Sequence, residues 1–391
     1  MIPVNEPLLD GNEKRYLNEC IDTGWISSDG PFVAQFENNF SAYIGVEHGI
    51  AVCNGTAALE VALFAAGVGE GDVVVMPTFT IISCAIAAMR LGARPALVDI
   101  DPETWCLDIE HLKAVVDKEI TASDGKLKAI MPVHIYGHPV DMDPVLEIAE
   151  RYNNLMVIED AAEVHGAEYF SKFHADGVGK ENGTWKKCGG LGHIAAFSFY
   201  ANKIITTGEG GMVVTDDSKM ADRARSYRNL CFRPDRRFYH LDIGYNFRMT
   251  NLQAALGVAQ LERIDALIAK KRRLGEYYRH KLENIPGVRM QTEKPWARSV
   301  YWMYAIELEP LLGIDAETLC QRLRKKGIGT RPFFLGLHAQ PALQDLNPGF
   351  DINGFPRADF AHQYGCYLPS GLTLTEVQID IICDALSEAL G

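Results

Sequence analysis

The sequence predicts an α/β fold on a mostly parallel central sheet, with a second, smaller α/β unit towards the C-terminus. Three observations predict it. Short apolar runs alternate with helical patterns through the first two thirds of the 391 residues, the signature of successive βαβ units. A long helical stretch is then broken at Pro286 and Gly287. Beyond the break the alternation resumes on a smaller scale. The length suits two domains. We expect a large domain over 1–250, and connecting helices with a small domain over 251–391.

A helix opens near the start: Asp10 and Glu13 form a D-x-x-E cap, Tyr16, Leu17 and Ile21 give the apolar face, and Gly24 stops it. Strands are expected at 73–76, 96–100, 128–134, 155–159, 194–199 and 212–215, and helices between them at 57–66, 81–91, 109–116 and 143–152. Residues 170–192 are Gly-rich and polar, hence a long loop or a β-excursion. Thr250 and Gln253 make a second capping box for a helix to about residue 269, followed by another at 271–282. The small unit reads as strand 301–308, helix 316–326, strand 329–334 and a last helix from about Thr375. Residues 301–304 (YWMY) read as its core, with an edge towards a cleft.

Composition sets limits. Hydrophobic residues are 47% and charged residues 23%, which excludes a disordered, collagen-like or coiled-coil chain. A net charge of −13 argues against a general binder of nucleic-acid backbone. The nine cysteines are scattered with no C-x-x-C pair, as expected of reduced thiols in the cytoplasm. The first residues lack the apolar core of a secretory signal, and the most apolar stretch, 81–89, is too short to span a bilayer.

Three segments carry chemistry. Asn54-Gly55-Thr56-Ala57 opens a helix after an apolar stretch, offering amides, a hydroxyl and a positive dipole end to an anion. A plain N-cap would look the same. Glu159 and Asp160 end a buried parallel strand, where ligands gather, and Asp160 could pair with a cationic ring nitrogen. An exposed loop acid is the other reading. Ser198 ends the next strand and Lys203 comes soon after it, ahead of the turn Gly208-Glu209-Gly210-Gly211. A lysine in a partly dry site can become a nucleophilic amine, although most lysines are solvated. Together the segments supply a phosphate cradle, a carboxylate for a pyridinium and an amine for a Schiff base, the parts pyridoxal 5′-phosphate (PLP) requires.

Longer motifs carry a resemblance. GNEKRYLNECIDTGWISS, CNGTAALEVAL, MPTFT, VHIYGHPVDMDP, IEDAAEVHGAEY, FSFYANKIITTGEGGMV, GYNFRMTNLQAALGVAQLERID and RPFF span nearly the whole chain. By them the chain resembles the DegT/DnrJ/EryC1/StrS family of PLP-dependent sugar aminotransferases. The resemblance implies the fold-type I (aspartate aminotransferase-like) architecture and a cytoplasmic homodimer with shared active sites. It also implies amino transfer from glutamate to a keto sugar in amino-sugar and O-antigen biosynthesis. The expected acceptor position is C4 of a nucleotide-linked 4-keto-6-deoxy sugar. Another sugar carbonyl, such as that of an oxidised unactivated sugar acid, is the alternative. Sugar dehydration is disfavoured because relatives that dehydrate have His in place of the lysine, and a non-catalytic sensor because Lys203, Asp160 and Ser198 are intact.

Carried over by motif, Lys203 resembles the Schiff-base lysine and Asp160 the aspartate facing the ring nitrogen. Glu163 lies where the family places a residue near the ring hydroxyl. Gly55, Thr56, Ala57 and Ser198 match phosphate-binding positions, and Asn246 matches an asparagine that reaches the phosphate from the partner subunit. Arg248, Arg331 and His338 are candidates for substrate groups. Ile81 stands where the family usually has an aromatic residue over the ring, Ala201 where near relatives have Gly, and His193 where many have Asp; residues 170–192 are longer than the hairpin expected there. No metal is expected: His134 and His138 flank a Gly turn without a carboxylate pair to complete a site. The basic end of 262–273 reads as a solvated helix face.

Overall fold

The structure, a computed structural model, describes residues 1–122, 126–152, 155–173, 183–233, 235–236, 238–240, 242–346 and 354–391. Helices α1 (Glu13–Thr23) and α2 (Pro31–Ile44) precede strand β1 (His48–Val52). Then come α3 (Gly55–Ala65), β2 (Val73–Pro77), α4 (Ser83–Arg90), β3 (Arg94–Val98), α5 (Ile109–Ala122), β4 (Leu127–Ile130), α6 (Met142–Arg151) and β5 (Met156–Asp160). Strands β6 (Glu168–Ser171) and β7 (Thr184–Lys187) pair with each other before β8 (Ile194–Ser198), β9 (Gly211–Thr215) and α7 (Ser218–Arg228). Helices α8 (Asn251–Leu261) and α9 (Ile264–Leu282) lead to β10 (Val288–Met290), β11 (Ala297–Arg298), β12 (Tyr304–Leu308), α10 (Ala316–Lys325) and β13 (Arg331–Pro332). The chain ends with α11 (Pro341–Leu346), α12 (Pro356–Tyr364), β14 (Gly365–Leu368) and α13 (Glu376–Leu390).

The main sheet has seven strands in the order β1-β9-β8-β5-β4-β2-β3. Only β9 runs against its neighbours; the β8-β5-β4-β2-β3 ladders are parallel. Strands β2, β8 and β9 are buried along their whole length, which explains their continuous apolar runs: helices cover both faces of such a sheet. A four-stranded antiparallel sheet, β10-β12-β14-β13, forms the smaller unit, and β11-β6-β7 make a third small sheet. The β-excursion expected within 170–192 is therefore present at its flanks, while 174–182 lie outside the described residues.

Helix α2 drives Phe36 and Phe40 under β8, where they meet Phe199 and Phe197 at ring-centroid distances of 4.9–5.2 Å. Losing one such buried ring costs roughly 3–5 kcal/mol. The cluster thus fixes the strand that carries Ser198 and delivers the chain to Lys203.

Several expectations are corrected. Asp10 does not cap α1; it pairs with Arg263, and the Glu13 carboxylate takes the Gly11 amide at 2.8 Å. The Thr250–Gln253 capping box forms, but its helix stops at Leu261. Glu262 is held by Asn12 and Tyr16, and Arg263 by Asp10, so contacts with the first helix impose the break. The far end of that expected helix merges with the one expected at 271–282 into α9. Strand 301–308 begins only at Tyr304, because Tyr301 takes a left-handed φ of 47°. Strand 329–334 shrinks to Arg331–Pro332, an edge strand whose proline has no amide to donate.

The segment 1–5 clasps the smaller unit. Ile2 pairs with Ile328, the Gly329 amide donates to the Ile2 carbonyl, and the Ser370 amide donates to the Val4 carbonyl.

Candidate active site

The carboxyl ends of β1, β2, β5 and β8 converge on a cleft of about 640 Å³, the place a doubly wound sheet offers a ligand. Its walls include Gly55, Thr56, Ala57, Ile81, Asp160, Glu163, Ser198, Lys203 and Trp302. All the cofactor-binding candidates but Asn246 are therefore brought together from four separate stretches of chain.

The cradle is built at the start of α3. Asn54 caps the helix by accepting the Ala57 amide at 2.8 Å, which leaves the amides of Gly55 and Thr56 for a ligand. Thr56 Oγ1 lies 2.9 Å from Ser83 Oγ. A Cβ added at Gly55 would sit 2.8 Å from Ser198 Cβ and 3.0 Å from its Oγ, so glycine is what lets helix and strand end close round an anion.

Strand geometry separates the two acids that end β5. Successive residues face opposite sides. Glu159 turns inward and accepts the amides of Gly189, Leu191 and Gly192 and a bond from His134 Nε2 at 3.0 Å. Burial opposes its ionisation, but His134 and these amides hold its carboxyl below the usual value. Asp160 turns to the cleft. The Ala162 amide donates to its Oδ1 and the Cys84 thiol to its Oδ2, each at 3.1 Å. Burial keeps that thiol well above its ordinary range, so Cys84 serves as a donor. Neither Cys84 nor its place beside Asp160 is among the sequence-predicted site residues; a cysteine one helical turn past Thr80 carries no signal of which strand end it will touch.

Lys203 lies in the turn after β8, with its amide donating to the Tyr200 carbonyl at 2.9 Å. Its Nζ is 3.9 Å from Glu163 Oε1 and 3.8 Å from the centre of the Trp302 ring. Burial pushes its amine down, while Glu163 and Asp160 pull the other way. Burial likewise raises Glu163, which also accepts the Tyr136 amide at 2.8 Å. An amine weakened as a base in a largely dry site is suited to nucleophilic attack.

The remaining candidates stand apart. Asn246 is exposed, bridges Asn229 and does not line the cleft of its own chain. Arg248 is bonded to Asn229. Arg331 is exposed beside Tyr367, its strand partner, which does line the cleft. His338 is buried elsewhere, with both ring nitrogens engaged by Thr78 and Asp359 at 2.7 and 2.9 Å; that is the geometry of a structural histidine. His134 and His138 are likewise buried and bonded within the fold. Ile81 is 49% exposed at the mouth.

The arrangement fits PLP on its own chemistry: a glycine cradle at a helix start for a phosphate, a cleft-facing carboxylate for a ring nitrogen, and a buried, weakened amine between them. The DegT/DnrJ/EryC1/StrS aminotransferase family matches residues 7–387. The chain belongs to this family. It is a PLP-dependent sugar aminotransferase of fold-type I. It is 42% identical over 393 residues to GDP-perosamine synthase of Caulobacter vibrioides, covering 100% of this chain and 98% of that one. It is 39% identical over 387 residues to GDP-perosamine synthase of Escherichia coli O157:H7, covering 99% and 98%. Among solved structures, 3-amino-5-hydroxybenzoic acid synthase superposes with a TM-score of 0.87 at 31% identity, covering 100% of this chain and 98% of that one. Among the described residues no helix is long and apolar enough to cross a membrane.

Proposed function

We propose that this family member moves an amino group from glutamate to C4 of GDP-4-keto-6-deoxymannose. The observation that carries the substrate is the end-to-end similarity to GDP-perosamine synthases, at 42% identity for that of Caulobacter vibrioides. PLP, when bound, supplies an electron-withdrawing ring that accepts the electrons of the donor's Cα–H bond. The residues do the rest. Gly55, Thr56, Ala57 and Ser198 hold the phosphate. Asp160 keeps the ring nitrogen protonated, with Cys84 and the Ala162 amide fixing its carboxylate. Lys203 would hold the cofactor, and its free, neutral amine would take the proton from the donor carbon in the first half-reaction and deliver one to the acceptor carbon in the second. Glu163 would take the ring hydroxyl, and Ile81, at the mouth of the cleft, would offer the ring an aliphatic neighbour.

The enzyme works in this reading as a cytoplasmic homodimer, with large and small domains divided near residue 250. Phe238 and Ile243, 76% and 85% exposed in the same loop as Asn246, support a second copy as their cover. Asn246 then serves the partner's phosphate cradle. Arg248 and Arg331 remain candidates for anionic groups of the sugar nucleotide.

The two half-reactions test the proposal. Glutamate should bleach the yellow absorbance of the loaded enzyme, and GDP-4-keto-6-deoxymannose should restore it. Restoration only by another keto sugar overturns the substrate. Mixing Lys203→Ala chains with Asn246→Ala chains, each nearly inactive alone, should recover activity if the site is shared between subunits. No recovery from verified mixed dimers refutes the role of Asn246 across the interface.

A further inference from the structure

The indole of Trp302 faces the Lys203 amine, and the proposed function gives it no role. Trp302 stands just ahead of β12 and is buried. Its ring N–H donates to the carbonyl of Asn202 at 2.8 Å, the residue before the lysine. The Asn5 side chain donates to the same carbonyl at 3.2 Å. One face of the indole stacks towards Tyr136, with centroids 6.4 Å apart and planes 22° apart. The Lys203 Nζ lies 3.8 Å from the ring centre. The ring is thus pinned to the very turn whose lysine it covers.

We propose that Trp302 is a positioning residue that holds the Lys203 amine, as an ammonium, against its ring in the enzyme before the cofactor is captured. The proposal rests on Lys203 being the cofactor lysine. The physical ground is the attraction between a cation and the negative face of an aromatic ring, strongest for tryptophan and strengthened where water is excluded. The amine thus has two neighbours at similar distance, the indole face at 3.8 Å and Glu163 Oε1 at 3.9 Å.

The charged groups around the amine are few. Glu163, from the turn after β5, and Asp160, from the end of β5, favour its protonation. His165, buried behind it, stays neutral, its basicity lowered to about 3 by burial first and then by Lys203. Glu6 and Lys271 share with Lys203 and Trp302 the lining of a small void behind the turn. Trp302 adds an uncharged stabiliser to this set, opposing the effect of burial.

The test reads the amine without turnover. The full-length apo protein is mixed with PLP, and the rate of covalent capture is followed by absorbance across pH. Only the neutral amine attacks, so the midpoint of the rate profile reports its protonation. Trp302→Leu should move the midpoint down by about one unit, and Trp302→Phe by less. Covalent capture that is slower at every pH, with an unchanged midpoint, would overturn the proposal, since a merely structural tryptophan predicts that pattern. A midpoint shifted upward overturns it too. If Trp302→Leu fails to fold, the Trp302→Phe midpoint decides, an unmoved value counting against the proposal. Lys203→Ala is the control for the underlying reading: capture by that variant with a normal band would show that another amine holds the cofactor, independently of Trp302.

Discussion

Replacing Gly55 by alanine puts the phosphate cradle to a quantitative test. The new Cβ would lie 2.8 Å from Ser198 Cβ and 3.0 Å from its Oγ, against an ordinary carbon–carbon contact of roughly 3.5–4.0 Å. Helix start and strand end must therefore part by about 1 Å. Overpacking of this kind costs roughly 1–3 kcal/mol. Alanine is better than glycine inside a helix by about 1 kcal/mol, so the net loss in the apo protein should be about 0–2 kcal/mol. The effect on PLP should be larger, because the methyl group crowds the Ser198 hydroxyl, one of the proposed phosphate donors. We expect at least a tenfold weaker dissociation constant, equivalent to about 1.4 kcal/mol. Absorbance titration of apo protein and thermal unfolding without cofactor measure the two quantities separately. The double variant Gly55→Ala/Ser198→Gly should recover the apo stability but not the affinity. If Gly55→Ala binds PLP as tightly as the native chain and is more stable by the full helical gain, the cradle reasoning is wrong and Asn54 simply caps a helix.

Three further perturbations have definite expectations. Asp160→Asn should lower kcat by roughly 10²–10³ while the protein still captures PLP through Lys203; unimpaired turnover would refute the role of the carboxylate. Cys84→Ala removes the thiol that donates to Asp160 at 3.1 Å and should cost about 0.5–1.5 kcal/mol of transition-state stabilisation, read as kcat/KM, with Cys84→Ser near the native value; a serine variant as poor as alanine would count against a donor role. Glu159→Gln should cost roughly 1–3 kcal/mol of folding stability at neutral pH, because the amide nitrogen that replaces one carboxylate oxygen cannot accept the buried N–H groups aimed at it. Because the folded carboxyl titrates below its ordinary 4.5, the native stabilisation is complete above that value and is lost as pH falls through the folded one. Acid unfolding monitored by circular dichroism should therefore be less pH-dependent in that window for the glutamine variant, and an identical slope would contradict this account.

Legibility in the sequence depends on how local each signal is. Strand β2 and helix α3 announce themselves because their patterns are continuous and their neighbours adjacent. Thr250 and Gln253 spell a capping box that forms as written. The candidate cofactor motifs are readable because Gly55, Asp160 and Lys203, which line one cleft, each sit at the junction between a strand and the next segment. Helix α2 has local signals too, with phenylalanines at 32, 36 and 40 and a proline at its first position, yet it lies outside the strand–helix alternation and is not among the predicted elements. Contacts between distant segments are not legible. The D-x-x-E near the start fails as a cap because Arg263, more than two hundred residues away, takes Asp10. His338 looks free in the sequence and is locked by Thr78 and Asp359. Cys84 and Trp302 reach the site only because the sheet order and the turn before β12 bring them there.

The clasp made by the first five residues bears on how the protein is born. Ile2 and Val4 find their partners at Ile328, Gly329 and Ser370, and Asn5 reaches the carbonyl of Asn202, beside Lys203. At roughly 5–20 residues per second, the ribosome makes the head of the chain wait roughly 20 s to a minute for those partners. The parallel sheet can form in the meantime, but the turn holding Lys203 lacks the Asn5 contact until the partners of the clasp at Ile328, Gly329 and Ser370 have been made. A nascent chain stalled before residue 328 would thus carry the sheet and the Trp302 contact to the turn of Lys203, but not the clasp that seats Asn5 on the same carbonyl.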